Sequence, residues 1–268
     1  MAETPEEMFD LGGKVAIVTG STKGIGRAIA EQMAALGARV VVSSRKADAC
    51  DQVAAEINAA LDGSAGEAVG IPCHILHREQ CEALVQRTVD RWGRVDILVC
   101  NAALNPFLGS LRDIPDEAFD KTIDANIKSN VWLTNLVIPG MIERRDGVIL
   151  IIGSTGGLRG TENLGTYAMT KAADMQLVRN LTVEWGRYNI RANCIAPSLV
   201  KTDMAKALWS DPRRLDIVNR SYPLQRIGEP DEVAAIAVAL ASRAGQWMTG
   251  QTIVVDGGMM AGSLVSEA

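Results

Sequence analysis

Tyr167 and Lys171 stand four residues apart in the run Tyr-Ala-Met-Thr-Lys, and Ser154 precedes the tyrosine by 13 residues, just after the apolar run Val148–Ile152. On a helix, positions i and i+4 share a face, which sets an ammonium at 171 beside a phenol at 167. A free phenol titrates near pH 10 and exchanges protons poorly at neutral pH. A cation roughly 4 Å away, in a medium of effective dielectric about 20, contributes about 4 kcal/mol toward the ionised form. A phenol helped in this way can pass a proton to or from a carbonyl or alcohol oxygen. Tyrosine and lysine at this spacing are also ordinary helix residues, so the chemistry depends on what else is brought to them.

Two further segments supply the support. Lys14–Thr19 reads as a buried strand, Gly20-Ser21-Thr22-Lys23-Gly24-Ile25-Gly26 as a glycine-rich turn, and Arg27–Gly37 as helix. Strand, glycine turn and helix form the arrangement that seats a pyrophosphate on a helix N-terminus. Gly20 permits the tight turn, Gly24 a close approach of backbone to phosphate, and Gly26 close packing of helix on strand. The second segment is Val95–Cys100, an apolar strand running into Asn101, Ala102 and Ala103. In an open parallel sheet, ligands bind beyond the carboxyl ends of the strands. Thr19/Gly20, Asn101 and Ser154 all fall at such ends.

Apolar runs alternate with helical patterns along the chain. Strands are expected near 14–19, 38–44, 67–73, 95–100, 147–153, 190–195 and 251–255, and helices near 24–37, 47–61, 78–92, 116–144, 165–187 and 230–243. This alternation predicts an α/β fold of one domain over 1–268, a doubly wound parallel sheet with helices on both faces. The interval 198–229, with Trp209, Tyr222, Pro212 and Pro223, breaks the alternation.

A length of 268 residues suits one large domain, and a net charge of −5 gives no support for nucleic-acid binding. No apolar run reaches the ~20 residues of a membrane span. The opening residues are acidic and polar, unlike a secretory signal, and the ending Val265–Ala268 is unlike a peroxisomal one. Five scattered cysteines without a CxxC favour reduced thiols and a cytoplasmic location. Cys73, His74 and His77 lack a second ligand pair, so no metal is expected.

Taken together, the TGxxxGxG run at 19–26, Asn101-Ala102-Ala103, Asn126, Ser154, Tyr167/Lys171, Asn189–Asn193 leading to Pro197, and Val254–Gly258 resemble the short-chain dehydrogenase/reductase family over about residues 10–260. Within it, Asn105-Pro106-Phe107 and the phrase from Cys194 to Thr202 look most like NADP-dependent carbonyl and retinal reductases. The overall pattern is also similar to 3-oxoacyl-carrier-protein reductases. The resemblance implies a nicotinamide-dependent oxidoreductase with an Asn126–Ser154–Tyr167–Lys171 tetrad, in which Asn126 bends a helix and anchors a water. Ser154 positions the substrate oxygen, and Lys171 holds the nicotinamide ribose. It implies cofactor contacts from Gly20, Thr22, Lys23, Gly24, Ile25, Gly26, Ser44, Arg45, Asn101, Ala102, Pro197, Val200 and Thr202, a substrate lid at 198–229, and a homotetramer built on the helices near 116–144 and 165–187 and on the last strand. His74 stands where many relatives have an aspartate that touches the adenine, and Ser198 where glycine is common.

The second strand ends in Ser44 and Arg45, with no carboxylate to repel a 2′-phosphate, and Lys23 can add a second positive charge. This favours NADP(H) over NAD(H). Leu104, Phe107, Leu158, Met204 and Trp209 suggest an apolar pocket for a ketone or aldehyde. A 3-oxoacyl thioester on a carrier protein is the alternative, for which Arg112, Lys121, Lys128, Arg144 and Arg145 would have to form a basic patch. A catalytically silent NADP-binding subunit is a third reading.

Overall fold

The computed structural model describes residues 4–61, 63 and 65–262, so the C-terminal tetrapeptide Val265–Ala268 lies outside the described residues. Seven parallel strands form one sheet in the order β3-β2-β1-β4-β5-β6-β7. They are β1 (Val15–Thr19), β2 (Arg39–Ser43), β3 (Glu67–Gly70), β4 (Ile97–Cys100), β5 (Gly147–Ile152), β6 (Ile190–Pro197) and β7 (Thr252–Val255). The helices are α1 (Pro5–Phe9), α2 (Gly24–Ala35), α3 (Ala47–Ala60), α4 (Arg78–Trp92), α5 (Asp116–Ile123), α6 (Ser129–Arg144), α7 (Gly165–Trp185), α8 (Lys206–Trp209), α9 (Pro212–Arg220) and α10 (Pro230–Ala241). The order reverses between β1 and β4, which is where a doubly wound sheet opens a ligand crevice.

The side-chain period of a strand splits the core in two. Ala16, Val18, Val40 and Val42 point to the layer shared with α2, α3 and α10. Ile17, Val41, Leu98 and Ile149 point to the layer shared with α4, α6 and α7. Both faces are covered, so the strands are apolar throughout, and each fully buried side chain contributes about 1.5–3 kcal/mol. The amino ends of the central strands are tied by Asp96, which accepts from the Val15 amide at 2.9 Å and from Arg94.

All seven expected strands are present. β3 is shorter than its apolar run, although Ile71 and Cys73 still donate to Val42 and Ser44 at 3.0 and 2.9 Å. The expected long helix 116–144 is divided by a π-turn at Asp124–Lys128. Ser129 Oγ donates to the Ala125 carbonyl and Asn130 Nδ2 to that of Asn126, four residues back in each case. Such back-bonding competes with the helical ladder and accompanies the inserted residue.

The interval after β6 leaves and re-enters the sheet through a narrow neck. Lys201 N donates to Gly228 O at 2.9 Å and Gly228 N to Leu199 O at 3.0 Å. Buried Tyr222 braces the neck, its hydroxyl 2.7 Å from Ser198 Oγ and accepting from Leu199 N. α8 and α9 hang beyond the neck, with Met204 and Ile217 69% and 71% exposed.

Candidate active site

The glycine turn is held between β1 and β4. Thr19 Oγ1 accepts from the amides of Asn101 and Ala102 at 3.0 and 3.1 Å, and Asn101 Nδ2 donates to the carbonyls of Thr19 and Gly20 at 2.9 and 3.1 Å. Asn101 is therefore a clasp for the turn, with its amide nitrogen turned to the protein. Gly20 has φ +66°, and a Cβ at Gly26 would meet Asn101 Nδ2 and come within 2.5 Å of Gly20 O. Only glycine fits either position. α2 opens at Gly24 with no side-chain cap and no acid in its first turn, so the amide end beside Thr22, Lys23, Ile25 and Gly26 suits a phosphate.

Lys23 differs from expectation. Its ammonium is engaged by Asp203 at 3.0 Å, with both side chains about two-thirds exposed. An exposed pair of this kind is worth ~0–1 kcal/mol. Thr202 lies over the turn as well, its methyl 3.1 Å from where a Gly24 Cβ would stand, and its carbonyl accepts from Trp209 Nε1 at 3.0 Å. Val200 is buried in the core layer of α2 and α10, so its side chain does not face the crevice. Pro197 closes β6 at the carboxyl edge.

At the outer edge, Ser44 is half-buried, its hydroxyl 3.4 Å from Cys50 Sγ. Arg45 is exposed and makes no ion pair among the described residues. His74 is held below its ordinary range by burial and by the nearby charges of His77 and Arg45, which puts Arg45 and His74 within electrostatic reach of each other. These residues fit a dinucleotide: an uncapped helix N-terminus for the pyrophosphate, and a cation without a carboxylate beyond β2.

Ser154, Tyr167 and Lys171 lie where the carboxyl end of β5 meets the start of α7. Ser154 follows β5 and starts the turn Thr155–Gly157, where its Oγ accepts from Gly156 N at 3.0 Å and keeps its own proton to donate. That turn rests on the backbone of α7, for a Cβ at Gly157 would come 2.6 Å from the Lys171 carbonyl carbon. Tyr167 stands half-buried in the first turn of α7 and lines a small cavity with Phe107, Ile114 and Leu164.

Lys171 is 2% exposed, and its Nζ donates to Ile152 O at 2.8 Å and to Asp174 Oδ2 at 2.9 Å while lying 5.7 Å from the Tyr167 ring centroid. The sequence reading brings Lys171 to Tyr167 and misses Asp174, whose spacing of three from the lysine on one helix face is the signal that was there to find. Burial pushes Lys171 toward the neutral amine and Asp174 toward the neutral acid. Their attraction opposes both, and for Lys171 it wins, holding the ammonium above its ordinary range.

Asn126, fully buried in the π-turn, accepts from Leu104 N at 2.8 Å and donates to Leu104 O at 2.9 Å and to Thr170 Oγ1 at 3.1 Å. It thus joins the loop after β4 to α7 one residue before Lys171. Three of the five residues of the expected basic patch are engaged with other groups. Arg144 donates to Val95 O and Arg145 to Arg187 O, at the amino end of the sheet opposite the site, and Lys128 pairs with Asp124.

Residues 20–260 match a protein family described as Enoyl-(Acyl carrier protein) reductase. The chain is 42% identical over 250 residues to Dehydrogenase/reductase SDR family member 4 of Bos taurus, spanning 93% of this chain and 88% of that one. Among solved structures it is similar to a 7α-hydroxysteroid dehydrogenase complexed with NADH and 7-oxo glycochenodeoxycholic acid, with 36% identity, a TM-score of 0.89 and coverage of 96% and 98% of the two chains. It is similar also to a gluconate 5-dehydrogenase from Burkholderia cenocepacia complexed with NADP and tartrate, with 28% identity, a TM-score of 0.90 and coverage of 97% and 100%.

Proposed function

This chain belongs to the short-chain dehydrogenase/reductase family, and on that premise we propose that it reduces ketones or aldehydes to alcohols, reversibly, with NADP(H) and with Tyr167 as the acid and base. The family makes it an oxidoreductase that uses a nicotinamide dinucleotide. The choice of NADP(H), the residue roles and the assembly are our reading.

The observation that carries it is the meeting of Ser154, Tyr167 and Lys171 at the carboxyl end of β5, tied together by the Lys171–Ile152 bond. The nicotinamide, when bound, supplies or accepts the hydride. Gly20–Gly26, Ser44, Arg45, Asn101, Ala102 and the segment Pro197–Thr202 would hold the dinucleotide. Ser154 donates its remaining proton to the substrate oxygen and orients it. Tyr167 donates to the same oxygen as charge develops there, and takes the proton back in the reverse direction. Lys171 offers its third N–H to the crevice, and Asn126 fixes the helix that carries Tyr167 and Lys171.

Arg45, exposed beyond β2 and without a carboxylate beside it, supports NADP(H) through a charge-assisted bond to the 2′-phosphate. Similar proteins have been solved with NADH and with NADP, so the preference rests on these residues. Leu158, 42% exposed, Met204 and the cavity beside Phe107 support an apolar substrate under a lid at 198–229. Five unpaired, buried thiols support a cytoplasmic location, and among the described residues no helix is long and apolar enough to cross a membrane.

The test is a screen of aromatic diketones, quinones, 3-oxoacyl thioesters and unsaturated acyl thioesters, each with NADPH and NADH in parallel. Diketone or quinone reduction with NADPH is the expected result. Turnover confined to thioesters would replace the substrate class, and no turnover on any would favour a silent cofactor-binding subunit.

A further inference from the structure

Asp174 lies one turn beyond Lys171 on α7 and takes no part in the proton transfer described above. Its carboxylate is 1% exposed, with Oδ2 2.9 Å from Lys171 Nζ and Oδ1 2.9 Å from Asn130 Nδ2. Burying a carboxylate is unfavourable, and an apolar side chain in the same place often serves stability as well. The position therefore asks for a reason beyond stability. Its surroundings are arranged for the charge: α6 supplies Asn130, itself bonded to the Asn126 carbonyl in the π-turn, so the carboxylate is reached through the same network that holds the catalytic helix.

We propose that Asp174 is a positioning residue for proton transfer, which fixes the direction of the Lys171 ammonium and offsets its charge, so that carbonyl reduction persists to a higher pH than an unaccompanied lysine would allow. The proposal rests on Tyr167 being the proton donor. An ammonium has three N–H donors. Ile152 O takes one and Asp174 the second, so a single donor is left for a molecule in the crevice. The offset follows from position. The ammonium lies 5.7 Å from the Tyr167 ring centroid, and the carboxylate is 2.9 Å from the ammonium. Two opposite charges this close leave at the phenol only part of the field of either. The field of the carboxylate at the phenol opposes that of the ammonium.

The other ionisable groups around the pair do not blur the effect. Cys194 on β6 is pushed up to about 12 by burial and by Asp174, and Cys100 on β4 is pushed higher still by burial and by Asp174. Both thiols stay neutral across the working range. Arg179 lies further along α7, exposed at the surface. Asp124 and Lys128 of the π-turn pair with each other, and the charged groups of α5 (Asp116, Glu117, Asp120 and Lys121) are exposed or half-exposed on its outer side. Lys171 and Asp174 are left as the charged pair beside the Tyr167 ring.

Two variants separate charge from shape. Asp174→Asn removes the charge but sets an amide where two donors, Lys171 and Asn130, already point. The double variant Asn130→Asp/Asp174→Asn keeps the bond from Lys171 to position 174 and a bond between positions 174 and 130, moves the carboxylate one side chain further from Lys171, and gives up the donation from position 130 to the Asn126 carbonyl. The first measurement is the ultraviolet tyrosinate titration of the substrate-free protein, taken as a difference from the same background carrying Tyr167→Phe. The second is the pH profile of aromatic diketone reduction with NADPH.

The expected result is a Tyr167 midpoint, and a basic limb of the kcat profile, lowered in Asp174→Asn and lowered by less in the double variant, with alcohol oxidation at neutral pH raised several-fold. A loss that is uniform across pH in both variants, with neither titration moved, shows a packing role and overturns the proposal. Should Asp174→Asn not fold, the double variant alone decides between these outcomes. Full turnover by Tyr167→Phe overturns the proton-donor reading and this proposal with it. A dead Tyr167→Phe beside unmoved titrations overturns this proposal alone.

Discussion

At the scale of single residues, the proposed mechanism divides the site into groups that would touch substrate and groups that would aim them. Tyr167→Phe keeps the ring that lines the cavity with Phe107 and removes only the hydroxyl. Turnover is expected to vanish while NADPH, followed by fluorescence titration, binds with unchanged affinity. A variant that keeps more than about a tenth of the wild-type rate, a loss under ~1.4 kcal/mol, ends the proton-donor role. Ser154→Ala is expected to lose most activity at unchanged cofactor affinity, whereas Lys171→Ala loses both, because it also strands buried Asp174 and the Ile152 carbonyl. Arg45→Ala tests the cofactor. It is exposed and supports nothing in the fold, so the expected result is a raised KM for NADPH with that for NADH nearly unchanged. Equal use of the two cofactors by the wild type would sink the assignment. Lys23 belongs to a different group, because its bond to Asp203 has to be exchanged for a phosphate before it can contribute.

At the scale of elements, the seven strands were legible because a sheet covered on both faces writes itself as short, uninterrupted apolar runs. The glycine turn was legible because Gly20 and Gly26 are demanded by backbone geometry. Replacing Gly26 by Ala drives a methyl against the Gly20 carbonyl and Asn101, neither able to retreat without opening β1 from β4. A cost of about 1–3 kcal/mol is expected, read as a lowered Tm together with weaker NADPH binding. A Tm within error of wild type would show that the turn has slack. The π-turn was not legible in the periodicity, although the family resemblance implied a bend at Asn126. Its cause is a buried amide 22 residues from its partner: Asn126 holds both backbone groups of Leu104, and periodicity cannot report so distant a bond. Asp174 was hidden for a related reason. On the page of the sequence it is a polar residue on a helix, and only the packing of α6 and β5 against α7 shows it buried beside Lys171.

At the scale of the whole molecule, much of the apolar face of α6 and α7 belongs to the core. Val137, Met175, Val178 and Leu181 are at most 5% exposed and fill the core layer under α6 and α7. Exposed apolar groups on α7 and toward β7 include Met169 51%, Val183 86%, Trp247 99% and Val254 40% exposed. Thr182 Oγ1 and Thr249 Oγ1 are 2.9 Å apart, which brings the end of α7, next to Val183, close to the approach to β7, which carries Trp247, at the open edge of the sheet. Large exposed apolar groups gathered in this way mark interaction surfaces, and a sheet edge meeting its own copy across a two-fold axis is the economical way to cover them. Met169 lies between Tyr167 and Lys171 on the outward side of α7, so a second contact there would brace the catalytic helix itself. A homotetramer with two such interfaces is the proposed assembly. Light scattering at micromolar concentration is expected to give four times the chain mass. Trp247→Asp is expected to halve that mass, since a central aromatic at an interface is worth about 2 kcal/mol or more. Activity in the resulting dimer is expected to survive, because Trp247 is far along the chain from the residues that meet at Tyr167, whereas Met169→Asp is expected to lower mass and turnover together. A wild-type monomer with full activity refutes both the assembly and its part in holding the site.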